Sequence, residues 1–205
     1  DINFYPTIDK IIKLNKKIIL STGNSNIVEI NKTVNYIKKK NKQVYKNLSI
    51  LHCVSLYPTP IEKTNIQKIS YLKKKYPDLT IGYSNHCPEK EAVLSAVALG
   101  AKIIEVHITH NKINKEFRDH SLSFDKENLK NLVVSINSTH KAVNNFYLNP
   151  GKDQLKIKRY MRKGIIASKN IEIGEKFTKK NLHYARPAIY FQSSDLKKLL
   201  GKKSK

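Results

Sequence analysis

Four short, β-branched apolar runs recur in the first half of this chain, at residues 17–20, 48–54, 79–83 and 102–108. Each has the length of a buried strand and falls short of an ordinary helix. Helical patterns fill the gaps. Residues 26–40 place Ile27, Ile30, Val34 and Ile37 on one face, and Asn26 followed by Glu29 predicts a capping box. Residues 61–75 align Ile66, Ile69 and Leu72. Residues 88–99 open on Pro88, stop before Gly100 and present Ala92, Ala96 and Leu99. Residues 125–146 open on Asp125 and carry Leu129, Leu132, Ile136 and Val143 at helical spacing. Strand followed by helix, repeated, dictates an α/β fold with a parallel sheet. Four units fit an open doubly wound sheet or half of an eight-stranded barrel. Half a barrel alone would leave two bare edges.

After Phe146 the pattern changes. Residues 147–163 hold Asn149-Pro150-Gly151 and six basic side chains (Lys152, Lys156, Lys158, Arg159, Arg162, Lys163), which reads as a linker. Residues 164–205 read as a small separate module, with a strand at 164–167, a turn at 172–175 and a helical turn at 178–182. The expected divisions are therefore 1–146, 147–163 and 164–205. The chain begins at Asp1 rather than Met and is expected to be a piece of a longer protein.

Charge narrows the partners. Lys and Arg number 39 against 16 Asp and Glu, a net +23. That excess invites a basic nucleic-acid-binding module. Its distribution argues otherwise, because lysine is dispersed. The densest runs, 38–40 and 73–75, close expected helices, where cations meet the negative dipole end. Aromatic residues do not alternate with them as a stacking platform would require. No nucleic acid is expected as a partner. No apolar run reaches a membrane span, so no membrane partner is expected either. The start lacks the basic and apolar regions of a signal peptide. Cys53 and Cys87 do not make a disulfide framework, and a reducing, cytoplasmic setting suits them.

Chemistry collects at the strand ends. The first run ends in Ser21-Thr22-Gly23, the second carries His52 and reaches Ser55 and Tyr57, and the third ends in Ser84-Asn85-His86. The fourth carries Glu105 and His107 and ends in Thr109. Parallel strands converge on one ligand-binding edge at their carboxyl ends. Neighbouring strands lie about 4.8 Å apart, so His86 and His107, if both point inward, can share one metal ion. The alternative is that each imidazole is simply hydrogen-bonded in a polar mouth. A zinc site using Cys53 and Cys87 is weak, since Cys87 directly follows His86 and Cys53 reads as a small packed hydrophobe. Ser21, Thr22, Ser55 and Ser84 suit a phosphate or carboxylate, or cap the helices that follow.

These strings together resemble the sialic acid synthase family, meaning the N-acetylneuraminate synthases and their legionaminate and pseudaminate relatives. The motifs are Ile18-Ile19-Leu20-Ser21-Thr22-Gly23, Leu51-His52-Cys53-Val54-Ser55-Leu56-Tyr57-Pro58-Thr59-Pro60 and Ile81-Gly82-Tyr83-Ser84-Asn85-His86. Ala96-Val97-Ala98-Leu99-Gly100-Ala101, Ile104-Glu105-Val106-His107-Ile108-Thr109 and Arg118-Asp119-His120-Ser121-Leu122-Ser123 complete the set. The resemblance implies a (β/α)8 TIM barrel whose N-terminal strands precede Asp1, followed by a partial, β-rich SAF (antifreeze-like) domain from 164. It implies condensation of phosphoenolpyruvate with an N-acetylmannosamine-type or related N-acylated amino sugar, giving a nine-carbon 2-keto acid and phosphate. His86 and His107 match the family's ligands for Mn2+ or Mg2+. Ser21, Ser55, Tyr57 and Ser84 match positions around phosphoenolpyruvate, and Asp1 and Asp119 match carboxylates on the sugar. His86, His107 and Asp119 are thereby the expected catalytic residues. Arg186 matches the arginine lent to the partner subunit in a domain-swapped homodimer. With half of the phosphate site outside it, the chain alone is expected to be inactive, and a non-catalytic remnant is the alternative reading.

Overall fold

The computed structural model describes residues 2–112 and 118–205. The chain divides into two compact units, 1–145 and 146–205.

In the first unit four strands, β1 (Ile18–Ser21), β2 (Leu48–Cys53), β3 (Thr80–Asn85) and β4 (Ile104–Val106), form one sheet in the order β1-β2-β3-β4. Every pairing is parallel, so each step along the sheet needs a crossover. The helices of these crossovers include α2 (Ile27–Lys40), α4 (Lys68–Lys75) and α5 (Lys90–Ala98). The last long helix, α6 (Lys126–Asn144), packs on α5.

Side chains alternate along each strand, and one face meets the helices. Leu48 and Ile50 of β2, with Ile81 and Tyr83 of β3, join Ile30, Val34, Ile37, Ile69, Leu72, Ala92 and Ala96 in a single core. Each large aliphatic side chain fully buried there contributes roughly 1.5–3 kcal/mol. The small Ala92 and Ala96 let α5 lie close to the sheet. Leu51 and Cys53 are buried but stand outside that core, on the opposite face.

Several boundaries differ from the sequence reading. A helix precedes the first strand, α1 (Tyr5–Lys13), with Pro6 in its first turn. The short α3 (Lys42–Lys46) follows α2 directly, because the Asn41 side chain accepts from the backbone N–H groups of Gln43 and Val44. α4 starts at Lys68, well after residue 61. A 3-10 turn occupies Ile61–Lys63, and Asn65 adopts a left-handed conformation (φ 49°) that an α-helix cannot contain. β4 is shorter than 102–108. Beyond Val106 the backbone bonds to Phe124 instead, with Phe124 N–H donating to the His107 carbonyl and Thr109 N–H to the Phe124 carbonyl.

The second unit is built on an antiparallel pair, β5 (Gly164–Ala167) with β6 (Leu182–Ala185). Residues 147–163, expected as a linker, contain α7 (Lys152–Met161), whose Arg159 carbonyl accepts from Ala188 N–H. The helical turn expected at 178–182 is instead a side-chain-closed turn leading into β6. There Asn181 Oδ1 accepts from both the N–H and the hydroxyl of Thr178. A short helix, α8 (Leu196–Leu199), follows. No helix among the described residues is long and apolar enough to cross a membrane.

Candidate active site

Register decides which side chains meet at the carboxyl edge. Cys53 pairs with Ser84, and Ser84 with Glu105. The three share a face, and Ser55, His86 and His107 continue it two residues further on. The contacts agree. The Ser84 hydroxyl donates to Glu105 Oε1 at 2.6 Å, and Cys53 Sγ lies 3.9 Å from His86 Nδ1. Gly23 closes the corner after β1. A Cβ there would stand 2.2 Å from Ser55 Oγ and 3.0 Å from Cys53 Sγ, so any larger residue would displace the Ser55 hydroxyl from this corner.

His86 and His107 present their rings to each other with centroids 5.2 Å apart. The Tyr57 ring lies 4.0 Å from His86 and 6.0 Å from His107. Thr59, two residues past Tyr57, donates its N–H to the His86 carbonyl at 2.8 Å, which ties the β2–α4 segment to the end of β3.

One imidazole is hydrogen-bonded to a carbonyl, and the other faces a carboxylate. His86 Nδ1 lies 2.7 Å from the Val54 carbonyl, which can only accept, so Nδ1 carries the hydrogen. Burial alone would lower the pKa of His86, but Cys53 and the Val54 carbonyl favour the proton and the net shift is upward. His107 Nδ1 faces Asp119 Oδ2 at 3.6 Å. The turn Arg118–His120 presents Asp119, and the Ser123 hydroxyl secures it by donating to the Asp119 carbonyl. Beside it, His120 Nδ1 lies 2.9 Å from Thr109 Oγ1. Burial raises the pKa of the Tyr57 hydroxyl, and the charges of Cys53, Asp119 and Glu105 add to the shift.

A divalent cation fits this donor set. Neither Nε2 has a hydrogen-bond partner among the described residues, while each Nδ1 is directed at an oxygen, as in histidines that ligate through Nε2. No cluster of three or more His, Cys, Asp or Glu side chains able to hold a metal occurs among the described residues. Two imidazoles are thus what these residues offer, and further positions fall to water or substrate.

Of the residues singled out in the sequence, Ser55, Tyr57, Ser84, His86, His107 and Asp119 come together here. Ser21 ends β1, paired with Leu51. Arg186 lies in the second unit, just after β6, at a cis bond to Pro187. Asp1 lies outside the described residues. Glu105 and Cys53 belong to the site and were not singled out for it. Glu105 joins it because β4 pairs it with Ser84. Cys53, expected only as a small packed hydrophobe, joins it because β2 pairs it with Ser84.

The first unit is a parallel β/α half-barrel with hydroxyls, carboxylates and a pair of imidazoles gathered at the carboxyl edge of its sheet. Residues 1–147 match the NeuB family model, and the chain belongs to the NeuB family. It is 38% identical over 202 residues to the N,N'-diacetyllegionaminic acid synthase of Campylobacter jejuni, covering 98% of this chain and 60% of that one. It is 33% identical over 194 residues to the pseudaminic acid synthase of the same organism, covering 95% of this chain and 55% of that one. The crystal structure of the N-acetylneuraminic acid synthetase of Leptospira borgpetersenii in complex with citrate superposes with a TM-score of 0.69. It is 32% identical, over 78% of this chain and 54% of that one. The chain thus spans 60% or less of the length of these relatives.

Proposed function

We propose that this chain is part of a synthase that condenses phosphoenolpyruvate with an N-acylated amino sugar of the N-acetylmannosamine type. The product is a nine-carbon 2-keto acid, with release of phosphate. The observation that carries this reading is the pair of facing imidazoles, His86 and His107, each oriented through Nδ1, at the edge where Ser55, Ser84 and Glu105 also converge.

In the proposed reaction C3 of phosphoenolpyruvate bonds to the sugar's aldehyde carbon. Water adds at C2, and the C2–O bond to phosphate breaks. When bound, Mn2+ or Mg2+ supplies Lewis-acid polarisation of a carbonyl oxygen, with His86 and His107 as its protein ligands. The chain's own residues do the rest. Asp119 holds the His107 ring by its Nδ1 edge. Ser84 fixes the Glu105 carboxylate, which stabilises positive charge developing at C2. The hydroxyls of Ser21 and Ser55, beside the close turn at Gly23, bind the anionic substrate. Tyr57 walls the imidazoles on the open side, and Asp119 and Asp1 serve sugar hydroxyls.

The barrel is read as closing to eight strands in the complete protein, in a cytoplasmic setting. The second unit is read as the start of an SAF-type domain, whose Arg186 serves the partner subunit in a domain-swapped homodimer. The test is phosphate release from phosphoenolpyruvate with Mn2+ and a panel of N-acylated mannosamines, using the chain extended by any coding sequence preceding Asp1. Release that needs both substrates, and is lost in His86→Ala and His107→Ala, supports the reading. Absence of both release and Mn2+ binding removes it. Mn2+ binding without release under any condition assigns the chain to a non-catalytic relative that keeps the site.

A further inference from the structure

On its helix-facing side β2 carries one imidazole, His52, for which the proposed reaction has no use. The residue is 1% exposed, and its ring stacks on Tyr83 with centroids 5.7 Å apart. Its Nε2 lies 2.8 Å from the Thr64 carbonyl. A carbonyl only accepts, so Nε2 carries the hydrogen, and in the neutral ring Nδ1 keeps a bare lone pair. Nδ1 is the one buried side-chain nitrogen or oxygen without a partner among the described residues. Burial holds the ring neutral by lowering its pKa. An aliphatic side chain would fill this space without stranding a polar atom. What the imidazole adds is the bond through Nε2.

That bond anchors the far end of the segment between β2 and α4. Thr64 closes the 3-10 turn at Ile61–Lys63, with its N–H and its hydroxyl both donating to the Ile61 carbonyl. Nearer β2, Thr59 N–H holds the His86 carbonyl, and the Thr59 hydroxyl donates to the Leu56 carbonyl at 2.8 Å. Little apolar burial assists, because Leu56, Tyr57 and Ile61 are all exposed. Hydrogen bonds therefore set the path of this segment, and Ser55 and Tyr57 ride on it.

We propose that His52 is a positioning residue of the site. Its Nε2–H, bonded to the Thr64 carbonyl, holds residues 54–67 so that Tyr57 lies against His86 and Ser55 against Gly23. This rests on the reading of the site given above.

Hydrogen exchange on the full 205-residue chain tests the proposal without requiring activity. His52→Leu keeps apolar volume and removes the donor. His52→Gln places an amide N–H at the reach of Nε2. In His52→Leu the amides of 54–67 should exchange about fivefold faster, the factor that accompanies loss of one net hydrogen bond. The strands should keep their protection, and His52→Gln should restore the segment. A rise spread evenly over β1–β4 and the segment would show that His52 only fills the core, and would overturn the proposal. Unchanged exchange in 54–67 would overturn it equally. If His52→Leu fails to fold, His52→Gln decides, native-rate exchange supporting the anchor and faster exchange refuting it. Phosphate release by the same variants in the chain extended by any coding sequence preceding Asp1 separates the two readings. An anchored segment in a chain that never releases phosphate removes the enzyme reading, and active enzyme with indifferent exchange removes the anchor.

Discussion

Gly82→Ala probes how tightly β3 and β4 are clamped beneath the site. An alanine Cβ at this position would stand 2.4 Å from Leu51 Cδ2, 2.5 Å from the Ile103 carbonyl oxygen and 2.9 Å from Ile103 Cβ. Leu51 can swing its methyl, although it is fully buried. The Ile103 carbonyl is backbone. To reach an ordinary 3.4 Å contact it must retreat by about 0.9 Å. It is also the acceptor for Tyr83 N–H at 2.8 Å, and Lys102 N–H donates to Ile81 at the same rung. Overpacking of this kind costs about 1–3 kcal/mol, and a weakened ladder bond adds about 1. The stiffer unfolded chain returns about 0.4–1. The net destabilisation is about 1–4 kcal/mol, or about 2–16 °C in Tm for a unit of this size. Urea unfolding followed by far-UV circular dichroism is the assay, with the two units fitted as separate transitions. The retreat also carries Glu105 and His107 away from Ser84 and His86, so on the proposed reading Mn2+ affinity is expected to fall with stability. Gly151→Ala, where a Cβ meets nothing within 4 Å, is the control. A Gly82→Ala chain within 0.5 kcal/mol of the parent would refute this reasoning.

Two further outcomes are expected. Burial lowers the pKa of His52 below the ordinary 6.5, and the charge of Lys68 also acts in that direction. Its contribution to stability is therefore complete above pH 6.5 and is lost as pH falls below that, where only the unfolded chain takes up the proton. The slope is at most about 1.4 kcal/mol per pH unit. The difference between parent and His52→Leu in urea midpoints from pH 7.5 to 5 isolates it, and a pH-independent difference would contradict the assignment. Asn26→Ala removes the acceptor of the Val28 and Glu29 N–H groups at the start of α2 and should cost about 1 kcal/mol by the same unfolding assay.

How far the sequence reached depended on whether a feature is local. The capping box at Asn26 and Glu29 is formed by residues three apart, and it stands as expected. The four strands were legible because β-branched runs between helical patterns leave few alternatives. α1 and α3 were not. Each is short, and α3 exists because one asparagine ends α2 and caps the next turn. α4 began late because Asn65 is left-handed, a conformation asparagine accepts but does not announce. At the candidate site, imidazoles at strand ends pointed to the edge where these side chains gather. The membership of Glu105 and Cys53 depends on the pairing of Cys53 with Ser84 and Ser84 with Glu105, and no residue types encode which rungs align. The approach of Asp119 to His107 depends on the turn at Arg118–His120, twelve residues along the chain, so it too is a product of folding.

The two backbone bonds of Phe124, to His107 and from Thr109, have a consequence for how such a protein diversifies. They staple together the start and finish of the excursion that leaves β4 and returns to α6. Once the neck is closed, the length of the excursion becomes nearly free, since doubling a loop costs only about 0.6 kcal/mol. A change in the length of that excursion then leaves the imidazole at its neck, His107, where it stands.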